Sequence, residues 1–354
     1  MLSIIICSKN NELPAYLLKN IKNTVGIEYE IIHIDNSQNH YSIFQAYNKG
    51  VESANGGLLC FMHEDIMFHS NDWGKKVAQL LANHSVGMIG VSGAKILPLR
   101  GDWRFSNHYY THVIQGHHTL GEQSIYYING VDWDINQECR QVAIIDGCWF
   151  CIRKDLFSEG KLRFDEKNFN SFHLYDSDIS MQVNIMGLKI YLCADILLEH
   201  FSEGLYSQDF KKGLETFTEK WHDYLPYSIY GKIEQSEEEE SKGVDRLTRR
   251  IEDDQLVRQI WSYYESKAKG EATASLPIEA EKLIENSFYR YVKDKIKYSQ
   301  TNREARLALR LYLDKGLKKH SKSLIWKYIF YRFIHSKKNQ VIHFQSLNPQ
   351  AFGI

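Results

Sequence analysis

The sequence predicts an α/β protein with a mostly parallel central sheet, followed by an all-helical C-terminal region. Three observations carry this. Short apolar runs alternate with stretches of helical spacing from the start of the chain, each run ends in polar or acidic residues, and no strand pattern follows Asp245. Strand and helix patterns in alternation mean parallel strands joined by crossover helices. Open sheets of this kind bind their ligands outside the strands' C-terminal ends.

The elements follow in order. Residues 2–7 form a first strand that ends in Ser8, Lys9, Asn10 and Asn11, and residues 13–25 have helical spacing. Residues 30–35 form a second strand ending in Asp35, and residues 43–54 a second helix. After Gly56 and Gly57, residues 58–62 are five apolar residues in a row, read as a buried strand of a parallel sheet. The run stops at His63, Glu64 and Asp65. Charged groups are costly inside an apolar sheet, so they should emerge at its edge. Oxygen ligands there suit Mg²⁺ or Mn²⁺, ions usually shared with substrate phosphates; a plain polar turn is the alternative.

A helix over 73–82 and a strand over 86–91 come next. Residues 99–140 read as irregular and rich in His, Tyr, Gly and Asn, which suits a substrate-facing insertion. A single strand is expected around 142–152, then a helix opening at Tyr175 and stopping at Gly187. Short strands are expected at 189–192 and 196–198, with His200 directly after.

At 354 residues the chain can bury a full α/β core and carry a smaller second unit. Its 43% apolar and 25% charged composition is that of an ordinary globular protein, and a net charge of −1 gives no reason to expect nucleic-acid binding. Aromatic residues, at 13%, fit stacking on sugars or bases. The first residues lack a basic leader and cleavage site, and no apolar stretch approaches the roughly 18 residues that span a bilayer. Cys148 and Cys151 form a CxxC inside an apolar run. Buried core thiols are one reading, redox or zinc chemistry the other. A reduced, cytoplasmic setting is expected. No GxGxxG follows the first strand and no GxxxxGK[ST] occurs, which removes the main support for dinucleotide and P-loop readings.

Composition shifts near residue 235, dividing the chain into a nucleotide-binding domain over 1–235 and a helical region over 236–354. Residues 289–338 hold 15 Lys/Arg against three acids, with an aromatic-rich stretch at 324–334. Such a segment either lies on an anionic membrane surface, at the inner face of the membrane, or docks as a helix with its basic face in water.

The order of these motifs resembles glycosyltransferase family 2, the inverting nucleotide-sugar transferases with a GT-A fold, over roughly residues 2–225. Residues 3–10, including Cys7, Ser8, Lys9 and Asn10, are similar to the family's opening strand and the turn that meets the nucleotide. Asp35 matches the acid that contacts the base. Asn48, Lys49 and Gly50 look like the helix leading to the metal strand, and His63-Glu64-Asp65 occupies the place of the DxD motif. Asp146, Gly147, Trp149 and Tyr175 fall on the acceptor side, as do Phe164, Asp165 and Glu166. Tyr175-Asp176-Ser177-Asp178 stands where the family has Glu-Asp-x-Asp, whose first Asp is the catalytic base. His200 matches the late histidine of the metal site. His63 replaces the first DxD aspartate and Tyr175 replaces a glutamate. Residues 217–221 keep only Lys220 and Trp221 of the polymerase-type signature, which implies a single-addition, hexosyltransferase-like enzyme rather than a processive synthase.

The resemblance implies a GT-A-type domain, a nucleotide-sugar donor (UDP first among candidates), Mn²⁺ or Mg²⁺ held by Asp65 and His200 with Glu64 at the nucleotide, and Asp176 as the base. A carboxylate such as Asp35 accepts from a ring imide N–H, favouring UDP, dTDP or GDP; capping the next turn is its other reading. A glycan or lipid-linked acceptor in polysaccharide or glycolipid assembly is implied. The competing classes are an inactive GT-A-like binding protein and a nucleotidyltransferase, although the latter expects a glycine-rich loop that Ser8-Lys9-Asn10-Asn11 lacks.

Overall fold

Residues Leu2–Ser8 form β1, and its alternating side chains set up the whole sheet: Ile5 faces one core layer, Ile4 and Ile6 the other. The computed structural model describes residues 1–100, 102–103, 109–115, 125–129, 139–201, 206–231 and 247–248. All lie in the first of two compact units, Met1–Gln255. Apart from residues 247–248, the expected helical region over 236–354 lies outside the described residues, as does the basic segment 289–338.

Helix α1 (Ala15–Thr24) leads to β2 (Tyr29–Asp35), and α2 (Ile43–Ser53) to β3 (Leu58–Met62). A capping box starts α2: Gln45 N–H donates to Ser42 Oγ at 3.3 Å and Ser42 N–H to Gln45 Oε1 at 3.0 Å. Strand β4 (Ile66–Phe68) follows the His63–Asp65 turn, then α3 (Trp73–Leu81) and β5 (Val86–Gly90). Short strands β6 (Ser92–Ala94) and β7 (Ile96–Leu97) come next.

Within 99–140, expected to be irregular, the chain forms β8 (Tyr109–Gln115), β9 (Ile125–Asn129) and the start of β10 (Cys139–Val142). Strands β8 and β10 pair with β14 and β13, distant in sequence, and β9 pairs with its neighbour β8, so their polar, aromatic sequence gave little local strand signal. The single strand expected over 142–152 is instead the end of β10, then β11 (Ile144–Ile145) and β12 (Trp149–Arg153), which belong to different sheets. All three are buried, so the apolar run hides the breaks. The turn shows only in Asp146-Gly147, where Asp146 Oδ1 accepts from Cys148 N–H at 3.0 Å. Helix α4 (Tyr175–Ile185), β13 (Lys189–Cys193), β14 (Leu198–His200), α5 (Gln208–Trp221) and β15 (Tyr227–Ser228) complete the described elements. His200 therefore ends a strand rather than following one.

The main sheet has seven strands in the order β10-β13-β5-β12-β3-β1-β2. Strands β1, β2 and β3 are mutually parallel, β5 and β13 run the same way, and β12 and β10 are reversed. The fold is thus α/β with a mostly parallel central sheet, as expected. A second sheet, β11-β6-β8-β14-β4 with β9 on β8, crosses the exit of β3. Helices α2 and α4 cover one face of the main sheet through Phe44, Tyr47, Ile179 and Val183, packed on Phe61 and Phe150. Helices α1 and α3 cover the other through Leu17, Ile21, Trp73 and Val77, packed on Trp149 and Met62. Burial on both faces explains why the strands read as continuous apolar runs. Cys148 and Cys151 are buried cysteines of this core, neither in a disulfide. Among the described residues, no helix is long and apolar enough to cross a membrane.

Candidate functional site

Where β3 ends, the chain bends at Glu64 and Asp65 before β4, which leaves His63 and Asp65 together at one site while Glu64 reaches the end of β1. The second sheet brings the third group. Strand β14 runs antiparallel to β4 with His200 opposite Ile66, and Phe201 N–H donates to the Asp65 carbonyl at 2.9 Å. His63 Nδ1 lies 3.1 Å from His200 Nε2 and 3.9 Å from Asp65 Oδ1, and His200 Nε2 lies 3.4 Å from Asp65 Oδ1. One ligand atom from each residue falls within 4.8 Å of the other two. The His63 and Asp65 side chains keep 37% and 29% of their surface exposed against 11% for His200, so the cluster opens to solvent on one side.

Two imidazoles and a carboxylate at this spacing fit a divalent cation. Desolvation, then the nearby His200 ring, pushes His63 down to about 4 against the pull of Asp65 and Asp146. Its ring is thus neutral at physiological pH, which is the ligating form. Imidazole nitrogen suits transition-metal ions better than the hard Mg²⁺. His63 enters the site as a residue expected only as a departure from an aspartate.

Glu64 points the other way, to the end of β1. It accepts from Ser8 Oγ, and Asn10 Nδ2 lies 3.4 Å from both its oxygens. Ser8 Oγ in turn accepts from Asn10 N–H at 2.9 Å. Ser8, Asn10 and Glu64 therefore gather at one rim, with Lys9 exposed beside them. Burial, then the Glu64 charge, pushes the Cys7 thiol up to about 11, so it stays protonated next to this rim. Tyr16 covers the acids from α1, its hydroxyl on the Glu64 carbonyl at 3.3 Å; desolvation followed by Asp65 and Glu64 pushes it to about 12.

Asp35 is exposed at the end of β2, and its Oδ1 accepts from Ser37 N–H at 2.9 Å, which lowers its pKa. The turn-capping role is realised, with the Ser37 side chain as a second contributor to the lowered pKa. Asn48, expected at the nucleotide, is buried on α2. Its Nδ2 donates to the Phe164 carbonyl at 2.9 Å and its Oδ1 accepts from Phe164 N–H at 3.2 Å, so its amide ties helix to loop. Trp149, expected on the acceptor side, is fully buried edge-on to the stacked pair Phe68 and Trp73, 6.1 Å from each ring. On β12 it falls on the face opposite Phe150, which decides its place. Both expectations are corrected.

Tyr175 and Gly147, both expected on the acceptor side, touch each other. Tyr175 opens α4 with its ring among Phe44, Tyr47 and Phe150, and its hydroxyl lies 2.9 Å from His63 Nε2 and 3.1 Å from the Gly147 carbonyl. A Cβ on Gly147 would sit 2.1 Å from that hydroxyl, so only glycine fits. Burial, then Tyr47 and Asp176, holds the Tyr175 phenol well above its ordinary range. Asp176 is 6% exposed; its Oδ2 accepts from Gly147 N–H at 3.0 Å and its Oδ1 from Ser177 N–H at 2.7 Å. Asp178 does not cap the helix, whose N-cap is Leu174. Its Oδ1 instead takes Lys220 Nζ at 2.6 Å and Trp221 Nε1 at 2.9 Å, and its Oδ2 takes Gln182 Nε2 at 2.8 Å. Lys220 also reaches Asp165 Oδ2 at 2.7 Å, joining α5, α4 and the loop before it.

A family model described as glycosyltransferase-like matches residues 3–200. No curated protein matches the sequence. Among solved structures the chain is similar to GalNAc-T7, crystallised with UDP, GalNAc and Mn²⁺, at 16% identity and a TM-score of 0.39, covering 57% of this chain and 44% of that one. It is similar to TarS 1–349 of S. aureus at 12% identity and a TM-score of 0.40, over 98% of this chain and 94% of that one. A197 from STIV matches at 14% identity and a TM-score of 0.33, over 57% and 86%. The chain thus spans less than half the length of the GalNAc-T7 chain.

Proposed function

The chain belongs to the glycosyltransferase-like family, and from that premise we propose that it moves a sugar from a nucleotide-sugar donor to an acceptor hydroxyl, with inversion and with a divalent cation. The observation that carries the reading is the His63, Asp65 and His200 cluster at the C-terminal edge of β3, the edge where such sheets bind ligands. Its donor set supports Mn²⁺ ahead of Mg²⁺. A bound cation would neutralise charge on the leaving nucleoside diphosphate.

The chain's own groups supply the rest. Ser8, Asn10 and Glu64 form the rim against which the nucleotide lies, and the exposed carboxylate of Asp35 accepts an imide N–H, which favours UDP. Asp176 takes the proton from the acceptor oxygen as that oxygen attacks C1 opposite the leaving group. The amide N–H groups of Gly147 and Ser177 hold its carboxylate in place for that transfer. One displacement inverts the anomeric centre. Addition of single sugars to a glycan or lipid-linked acceptor, with residues 289–338 at the membrane's inner face, completes the proposal.

A second reading, an inactive binding protein, draws on the 6% exposure of Asp176 and the engagement of both its oxygens. Titration of UDP into the protein with Mn²⁺, with EDTA, and with Asp65→Ala tests the site. Binding that requires both Mn²⁺ and Asp65 is expected, and equal affinity in all three arms would overturn it. Turnover of a nucleotide-sugar panel by the Mn²⁺-loaded protein separates the two readings.

A further inference from the structure

We propose that Tyr175 is a positioning residue that fixes the tautomer of His63 and so aims a lone pair at the cation site. The inference rests on His63 being a ligand, as proposed above. It begins with counting protons. Tyr175 has one hydroxyl hydrogen and two neighbours in reach, the Gly147 carbonyl at 3.1 Å and His63 Nε2 at 2.9 Å. A carbonyl only accepts. The hydroxyl therefore donates to Gly147, and its oxygen accepts from His63 Nε2–H. A neutral imidazole with its hydrogen on Nε2 carries its lone pair on Nδ1. That atom is the one facing His200 Nε2 at 3.1 Å and Asp65 Oδ1 at 3.9 Å.

The opposite arrangement fails on two counts. If Tyr175 donated to His63, its oxygen and the Gly147 carbonyl would meet lone pair to lone pair at 3.1 Å. The hydrogen would then sit on Nδ1, in the space a cation needs. The relay is rigid as well. Tyr175 is 5% exposed, its ring is held by Phe44, Tyr47 and Phe150, and the absence of a side chain on Gly147 lets the hydroxyl reach the backbone. Ligating histidines are generally oriented by the partner of their second nitrogen, and loss of that partner typically costs 10–100-fold in metal affinity. Gly147 adds a connection: its carbonyl holds Tyr175 while its N–H holds Asp176, so one peptide unit links ligand orientation to the proposed base.

The test uses the full chain with ¹⁵N-labelled histidine. In the metal-free wild type, long-range ¹⁵N–¹H spectra should show His63 protonated at Nε2, and in Tyr175→Phe the ring should shift towards a mixture of tautomers. Protonation of wild-type His63 at Nδ1 overturns the proposal without any variant, even if Tyr175→Phe does not fold. By Mn²⁺ electron paramagnetic resonance, Tyr175→Phe should weaken binding about 10–100-fold, yet cause no further loss in a His63→Ala background. An equal loss in both backgrounds would mean that Tyr175 acts only through packing, which refutes the relay. These readouts involve no sugar transfer. Failure of the transferase reading alone, seen as a lack of turnover, therefore leaves them intact.

Discussion

Replacing Lys220 with methionine tests how α5 holds the helix that carries Asp176. Lys220 Nζ sits 2.6 Å from Asp178 Oδ1 and 2.7 Å from Asp165 Oδ2. The Asp178 side chain is 1% exposed and Lys220 23% exposed. Removing one member of a buried pair typically costs roughly 3–5 kcal/mol, because a charge is left unpaired out of water. Lys220 is partly solvated, and Trp221 and Gln182 still donate to Asp178, so about 2–3 kcal/mol is the discounted expectation. At about 2–4 °C per kcal/mol for a domain of this size, the melting temperature should fall by roughly 4–12 °C. Burial already raises the Asp178 pKa despite Lys220. Without the lysine it rises further, so the folded state binds a proton more tightly than the unfolded state. The defect should therefore shrink as pH falls from neutral through that raised folded pKa. Asp178→Asn combined with Lys220→Met should recover part of the loss, since the buried Asp178 charge is removed while Asp165, 16% exposed, still lacks its lysine. Thermal unfolding by circular dichroism at pH 7 and pH 5 measures all of this. A shift under about 1 °C for Lys220→Met, or a defect that grows on acidification, would refute the reasoning.

Three further outcomes are expected. Asp176→Asn should keep Mn²⁺-dependent UDP binding while transfer falls about 10²–10⁴-fold, because the amide holds the shape but takes no proton; retention of more than about a tenth of wild-type kcat sinks the base assignment. Glu30, held by Ser3 Oγ at 2.6 Å and by the Asn55 N–H at 2.7 Å, has its carboxyl lowered to about 2, first by the Ser3 hydroxyl. A lowered acid contributes stability above its unfolded pKa of about 4.5 and loses it as pH falls towards 2. Glu30→Gln should thus lower the melting temperature at pH 7 with a gap that closes by pH 2, and a gap independent of pH contradicts this. The full chain should sediment with anionic liposomes at low salt and release at high salt, each Lys or Arg near the surface adding roughly 1 kcal/mol before screening. Recovery in the supernatant regardless of liposomes favours the docked-helix alternative for residues 289–338.

Local physics made much of the fold legible. Five uninterrupted apolar residues ending in His63-Glu64-Asp65 read as a buried strand that exits either at a ligand-binding edge or into a plain polar turn, and helical spacing between such runs points to a parallel arrangement. The ordered motifs likewise gave the family and placed Asp65, His200 and Asp176 on strand or helix ends. The break at Asp146–Cys148 was not legible, because strands buried in two different sheets share one apolar pattern. Nor were the fates of Asn48 and Trp149, since the face a side chain takes depends on which strand or loop lies across from it: Phe164 for one, Phe68 and Trp73 for the other. Above all, the candidate metal centre is a tertiary product. His63 and Asp65 are neighbours in sequence, but His200 reaches them only because β14 pairs with β4, and Tyr175 reaches His63 only because Gly147 leaves room. Sequence determined which chemical groups stand at the strand ends. Pairing between distant strands decided which of them meet, because hydrogen-bonded register is a property of two segments and cannot be read from either one.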